Sequence, residues 1–293
     1  MENEASQPKK PLNEIPLSPS NAHTMLTRSP LHAWQENWYL GGVRPAPSDA
    51  MIRGQLIEAL LFQKGLDRIV EIDAKDYKTA AAKDSKALAL ASNRIPVLKH
   101  QLEEWQESVK HSRHVLKQDY GITFEGCRTQ LKVEWEYEGV KCKGKFDCVD
   151  DEKGIIYELK STENAHPRFR ERNITNTGQH IQALAYLEGA TLKLKSTRPW
   201  QFKWLFCEPD PPYAVTVARP SEGMLELGHL DWYRAQRLWK RCIESNVWPG
   251  YATEEVALDA MTWQMDASRQ AEMDQEYGGD PTRALLHKLG DKN

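Results

Sequence analysis

Apolar residues along this chain change their period near its middle, and that change separates a helical first half from a sheet-bearing second half. In residues 51–63, MIRGQLIEALLFQ, the side chains of Ile57, Leu60 and Leu61 recur at helical spacing, with Ile52, Leu56 and Ala59 one turn away. This predicts a helix buried over a broad arc, with Glu58 inside it. Ahead of it, the run from Ser18 to Trp38 offers Ser18 or Ser20 as one N-cap and Ser29-Pro30 as a second helix start, so two short helices are expected. Residues 96–118 read as a long amphipathic helix with no breaker before Gly121. Beyond it the apolar residues alternate. The segments 129–137 (TQLKVEWEY), 140–149 (VKCKGKFDCV) and 154–160 (GIIYELK) are expected to be consecutive strands, turned at Glu138-Gly139 and between Asp150 and Gly154. A helix from Thr177 to Glu188, strands at 201–207 and 213–218 and a long helix at 221–246 complete an α/β pattern without an internal repeat. A short helical stretch is expected near 282–289.

Composition narrows the class without deciding it. Lys plus Arg total 39 against 42 for Asp plus Glu, a formal charge of −3, so any DNA-binding surface has to come from local clustering. The five cysteines form no C-x-x-C pair, which argues against a disulfide framework or a zinc ribbon and fits a reducing cytoplasm. The N-terminus carries charges and prolines where a signal peptide needs an apolar run, and no later stretch is apolar enough to span a membrane. A soluble, unexported protein is expected. The ten tryptophans are spread from Trp34 to Trp263 and are read as core and interface aromatics. Residues 1–17, polar and aperiodic, are expected to form a disordered arm.

The chemistry concentrates on the second and third strands. Glu158 and Lys160 are two residues apart on one strand and therefore face the same way. A simple hairpin through Asp150 to Gly154 puts Asp147 opposite Glu158, with Cβ atoms about 5 Å apart. Two facing carboxylates repel, and a bound divalent cation removes that penalty; hard oxygen ligands at this spacing suit Mg²⁺ or Mn²⁺. The ammonium of Lys160 is then placed to position or help deprotonate a water and to offset charge on a phosphate. Ile155-Ile156-Tyr157, immediately before Glu158, is an apolar run expected of an inner strand and not of a solvated hairpin tip. Gln182 and Tyr186 stand one turn apart on an otherwise apolar helix, either as buried hydrogen-bonding groups or with Gln182 reaching the site and Tyr186 bracing it.

The stretch KGKFDCVDDEKGIIYELKSTENAHPRF, followed by HIQALAYLEG, resembles the catalytic core of PD-(D/E)xK exonucleases: a strand Asp, a (D/E)-x-K strand and a helix with Q-x-x-x-Y, in that order. Ser29-Pro30-Leu31-His32, then Arg53-Gly54-Gln55-Leu56-Ile57-Glu58, and the Trp248-Pro249-Gly250 turn are similar to corresponding segments of the RecE (exonuclease VIII) family. The resemblance spans residues 18–265 and implies a restriction-endonuclease-like core, a mixed central sheet flanked by helices, with helical additions at both ends and a polar tail over 266–293. It makes Asp147 and Glu158 metal ligands, Lys160 the catalytic lysine and Gln182 a group lining the site. Where RecE-type sequences carry His in the first core helix this chain has Glu58, which can itself ligate a metal. Glu134 is a weaker candidate for an extra acidic ligand. Arg168, Arg170 and Arg172, between the Lys160 strand and the Gln182 helix, and Lys145, expected across from Lys160, are candidate phosphate contacts.

The resemblance further implies a Mg²⁺-dependent exodeoxyribonuclease that degrades linear double-stranded DNA from 5′ ends, leaving single strands for recombination in a phage or prophage setting. A ring-shaped homo-oligomer and a single-strand annealing partner come with it. Rival readings are an endonuclease of the same fold, a CRISPR-associated nuclease with an iron–sulfur cluster, and a catalytically silent module that binds DNA or a recombination partner. The cluster form needs four suitably placed cysteines, and only Cys207 and Cys242 lie in the last third of the chain.

Overall fold

Serine caps set the first helix boundaries. Ser18 Oγ accepts from the backbone N–H of Asn21 and Ser29 Oγ from that of His32, each directly before a proline in the first turn, where a missing N–H costs nothing. These caps open α1 (Pro19–Thr27) and α2 (Pro30–Glu36). The computed structural model describes residues 10–43, 46–251 and 254–277. After α2 come α3 (Asp49–Phe62), β1 (Ile69–Ile72), α4 (Ala80–Ala91), β2 (Ile95–Leu98) and α5 (Lys99–Tyr120). The second half follows as β3 (Arg128–Tyr137), β4 (Val140–Asp150), β5 (Ile155–Ser161), α6 (Pro167–Asn176), α7 (Gln179–Lys193), β6 (Gln201–Cys207), β7 (Val215–Ala218), α8 (Glu222–Ser245) and α9 (Thr262–Tyr277).

The helix expected from residue 96 begins only at Lys99. Ile95-Pro96-Val97-Leu98 is buried at every position and pairs parallel to β1, forming a separate two-stranded sheet. Arg168, Arg170 and Arg172, expected on a connecting segment, lie instead on α6, which opens on Pro167.

The main sheet runs β3-β4-β5-β6-β7 and is antiparallel except for the β5–β6 pair. A parallel neighbour needs a crossover, and α6 with α7 supplies it. The mixed sheet flanked by helices matches the architecture expected from the sequence. One sheet face carries Ile156, Phe202, Trp204 and Phe206 against Ala183 and Tyr186 of α7 and Trp232 and Trp239 of α8. The other carries Tyr157, Leu159 and Leu205 against Leu56 and Leu61 of α3 and Val109 and Leu116 of α5. Trp135, Trp204, Trp232 and Trp239 are buried, as core aromatics should be.

A single carboxylate ties α7 into this arrangement. Glu188 accepts hydrogen bonds from Trp135 Nε1 of β3 at 2.7 Å, and from Trp232 Nε1 at 3.1 Å, Tyr233 Oη at 2.8 Å and Gln236 Nε2 at 3.3 Å on α8. So many donors satisfy a charge withdrawn from water, and they fix α7 against both β3 and α8.

Part of the segment expected to be a disordered arm is built into the fold. Residues 12–14 form a 3₁₀ turn, Ile15 and Leu17 are buried, and Leu17 bridges to Cys142 on β4. The Leu17 N–H donates to Lys141 O at 2.8 Å and its carbonyl accepts from Lys143 N–H at 2.9 Å. The described β5 pairing reaches only from Asp150 to Cys148 of β4, so this stretch of β4 still offers backbone groups, and the arm satisfies them. Residues 1–9 and the expected helix near 282–289 lie outside the described residues. Met1–Gly250 form one compact unit and Tyr251–Asn293 another; in the second, α9 crosses the expected boundary at residue 265. Among the described residues no helix is long and apolar enough to cross a membrane.

If the arm is part of the core, Leu17→Ala removes a fully buried side chain and lowers unfolding free energy by about 2–5 kcal/mol in urea at unchanged m-value. Stability equal to the parent would show that the segment contributes nothing to the fold.

Candidate active site

The β4–β5 ladder pairs Asp150 with Ile155, Val149 with Ile156 and Cys148 with Tyr157. Continued by one step it would oppose Asp147 and Glu158. There, Asp147 Oδ2 accepts the backbone N–H of Leu159 at 2.9 Å, so a side chain takes up a strand donor. On the opposite side of β4, Gln130 of β3 takes a left-handed φ of 56° between the pairs Thr129–Cys148 and Leu131–Phe146. A local break of this kind bends a strand and re-aims its side chains.

Glu158 is buried, and its Oε1 accepts from Lys160 Nζ at 3.0 Å and from Gln182 Nε2 at 2.6 Å. Lys160 Nζ also donates to Gln182 Oε1 at 3.0 Å. Gln182 Nε2 reaches Tyr186 Oη at 3.1 Å, and the Tyr186 hydroxyl donates to Lys145 O on β4 at 2.9 Å. Gln182 thus stands within hydrogen-bond reach of Glu158 and Lys160, and Tyr186 links it to β4. Gly144, three residues before Asp147, carries no side-chain chemistry that would mark it in the sequence. The Tyr186 ring lies over it so closely that a Cβ at Gly144 would come within 2.7 Å of Cε1.

Glu58, on α3, approaches from the other side. Its carboxylate interacts with Asp147 and stands 3.7 Å from Lys145 Nζ. The structure thus gathers Glu58, Lys145, Asp147, Glu158, Lys160, Gln182 and Tyr186. Lys145 does not face Lys160 as expected: its register partner is Lys132 on β3 and its ion-pair partner is Glu58. The expectation depended on a β4–β5 ladder that the described pairing does not extend so far.

Glu134 falls outside this group. It is exposed and opposite Lys143, four residues along β4 from Asp147, which at strand rise is about 13 Å. Arg168 and Arg172 are exposed on α6, whereas Arg170 is buried.

The sequence over residues 18–259 matches a family described as a PDDEXK-like domain of unknown function (DUF3799). The chain belongs to this PDDEXK-like family. Its fold is similar to that of a Eubacterium rectale protein that carries exonuclease as a provisional name, with 15% identity, a TM-score of 0.57 and coverage of 91% of this chain and 94% of that one. A phage related exonuclease from Haemophilus somnus is more distant, at 12% identity and a TM-score of 0.32 over 65% of this chain and 95% of that one. So is an alkaline exonuclease from Laribacter hongkongensis, at 11% identity and 0.29 over 65% and 89%. No curated protein matches the sequence. The likeness to the Eubacterium rectale protein concerns the fold alone.

The donor set of this PDDEXK-like site fits a hard divalent cation. Glu58 Oε1 and Glu158 Oε2 are buried without a hydrogen-bond partner, Glu58 Oε1 having only the Lys145 ammonium at 3.7 Å, and a carboxylate oxygen so placed is costly unless a cation or proton reaches it. Among the described residues no group of three or more His, Cys, Asp or Glu is already poised to hold a metal. Lys160 and Gln182 occupy Glu158 Oε1, so a cation is left the free oxygens of Glu158 and Glu58 together with Asp147.

Burial, then the neighbouring Glu58, pushes Asp147 up to about 8; burial, then Asp147, pushes Glu158 up to about 7, against the partial offset of Lys160. Burial alone would lower the Lys160 ammonium, but the Glu158 and Asp147 carboxylates outweigh it and hold the group above its ordinary value. Both acids therefore bind protons more tightly folded than unfolded, where their values are about 4. The stability they contribute is full below about pH 4 and is lost as pH rises toward about 8. A cation competes with those protons and restores stability where they have left. The melting temperature of metal-free protein should accordingly fall between about pH 5.5 and 8.5, with Mg²⁺ raising it at the upper pH and not at the lower. Glu158→Gln should flatten the profile. A Mg²⁺ shift that is the same at both pH values would contradict this assignment of the carboxylates.

Proposed function

We propose that this protein is a Mg²⁺-dependent exodeoxyribonuclease that digests linear double-stranded DNA, from 5′ ends, to expose single strands for homologous recombination. The observation that carries the reaction class is the Asp147–Glu158–Lys160 constellation, with Glu158 buried and Asp147 and Lys160 half-buried, and with carboxylate oxygens of Glu158 and Glu58 left without hydrogen-bond partners. Substrate and polarity rest on the resemblance to RecE-type sequences.

Asp147, Glu158 and Glu58 would hold the cation, which supplies Lewis-acid polarisation of a phosphate oxygen and eases ionisation of water, with Mn²⁺ able to replace Mg²⁺. Lys160, kept charged by its carboxylate neighbours, offsets the negative charge that grows on the phosphate in the transition state. It also orients the attacking water. Gln182 holds both Lys160 and Glu158 by hydrogen bonds, and Tyr186 fixes Gln182 to β4. Exposed Arg168 and Arg172, together with Lys145, bind backbone phosphates and carry no sequence preference. A ring of identical subunits and a single-strand annealing protein are part of the same reading, and both rest on the family resemblance.

Linear duplex DNA labelled separately at its 5′ and 3′ ends, digested beside a covalently closed circle, tests the proposal. The expected result is release of 5′ label from the linear form alone, abolished by chelator. Lys160→Ala should lose about 10²-fold or more of the rate while keeping the parent's circular dichroism at the assay temperature. Cutting of the circle would indicate an endonuclease, and DNA binding without cutting under Mg²⁺ and Mn²⁺ a silent binding module. Full activity in folded Lys160→Ala would remove the mechanism. A native mass equal to one chain would remove the ring.

A further inference from the structure

α6 carries three arginines against one acid, Glu171, and one of the three is placed unlike the others. Arg170 is 7% exposed, its Nε has no hydrogen-bond partner, and among the described residues it forms no ion pair. A guanidinium withdrawn from water without a carboxylate is costly to the fold alone and suits an anion that arrives later. Its Cζ lies 5.5 Å from the ring centroid of Phe206 and 4.8 Å from that of Phe169. Aromatic faces hold its plane but leave its amino groups uncommitted. Phe206 is the register partner of Lys160 in the parallel β5–β6 pair, so both side chains stand on the same sheet face one strand apart, about 4.8 Å. Arg170 therefore stands on the same side of the sheet as Lys160, over the residue that pairs with it.

Phe169, the other aromatic against Arg170, is 51% exposed, and Arg168 and Arg172 flank it on the outer turns of the helix. A large ring kept in water, backed by one guanidinium and bordered by two more, has the make-up of a site for a nucleobase and its phosphates.

We propose that α6 forms a nucleotide subsite next to the catalytic centre, in which Phe169 stacks on a base of a single DNA strand while Arg170 binds a phosphate adjoining the one to be cleaved. The proposal rests on the nuclease reading above and adds to it a preference for an unpaired strand at the site. Stacking is indifferent to base identity, so the subsite grips any sequence but needs a base free of its duplex partner.

The test uses full-length protein in the Lys160→Ala background with Mg²⁺, so that the strand is not consumed, and a single-stranded oligodeoxynucleotide of about twelve nucleotides carrying 2-aminopurine. Binding should quench the 2-aminopurine. Phe169→Ala, an exposed position whose melting behaviour should match the parent, should abolish the quench and weaken binding roughly 5-fold to 150-fold; Phe169→Trp should restore both. Arg170→Gln should weaken binding and lower the slope of log affinity against log salt by about 0.7, whereas Arg170→Lys should keep that slope. Parent-like quench and affinity in Phe169→Ala would overturn the subsite, as would a parent that digests DNA but does not bind the single strand. A parent that neither cuts nor binds DNA would overturn the nuclease reading as well.

Discussion

Two carboxylates taken out of water side by side repel each other and lose their hydration together, so a fold that keeps them needs positive charge or protons at that point. Asp147 and Glu158 stand under this constraint, and much of the surrounding structure can be read as a response to it. Leu159 N–H and Lys160 Nζ give hydrogen bonds to the pair, and Gln182 gives a third. Even so, burial, with Glu58 beside Asp147 and Asp147 beside Glu158, holds both acids above the usual carboxylate range. A site that already satisfied its charges would have ordinary acids and no use for a cation.

The helix that completes the site is held at several heights. Gln182 contacts the acid and the lysine, Tyr186 donates to the β4 backbone over Gly144, and Glu188 gathers donors from β3 and α8. Each link crosses from α7 to a different element, so small rotations of α7 are opposed at both ends. A side chain that must stay within hydrogen-bond reach of Lys160 needs this stiffness, because a shift of about 1 Å at a reacting centre can cost orders of magnitude in rate.

The sequence made the centre of the site readable for a local reason. Alternation along Ile156, Glu158 and Lys160 fixes which residues share a face, and a short turn fixes which strand returns beside it. What could not be read depended on partners far along the chain. The four-residue strands Ile69–Ile72 and Ile95–Leu98 are too short for period two to be told from helical period, and they exist because they pair with each other. Alternation alone sets Lys145 opposite Lys160 only if the β4–β5 ladder continues past the pairs that form, and the strand of Glu134 does not reveal the β3–β4 register that puts it against Lys143. Leu17 and Ile15 gave too few apolar positions to reveal an arm that docks through backbone hydrogen bonds. The same limit hid the burial of Arg170, since three arginines at alternate positions look alike until the helix and Phe206 are in place.

Glu58 changes the balance of the centre in a way that bears on how substrate and cation enter. With Glu58, Asp147 and Glu158 ionised and Lys145 and Lys160 charged, the group carries one net negative charge; a neutral imidazole in place of Glu58 would leave it uncharged. A divalent cation then turns the net charge positive by one, and a single phosphodiester restores neutrality. Cation and phosphate therefore favour each other's binding through charge alone, before any contact between them is considered. In the proposed site an all-oxygen donor set would favour Mg²⁺ over metals that prefer imidazole nitrogen or sulfur. On this reasoning an acid at position 58 would raise the proposed site's demand for a hard cation while keeping the assembled cation and phosphate electrically neutral.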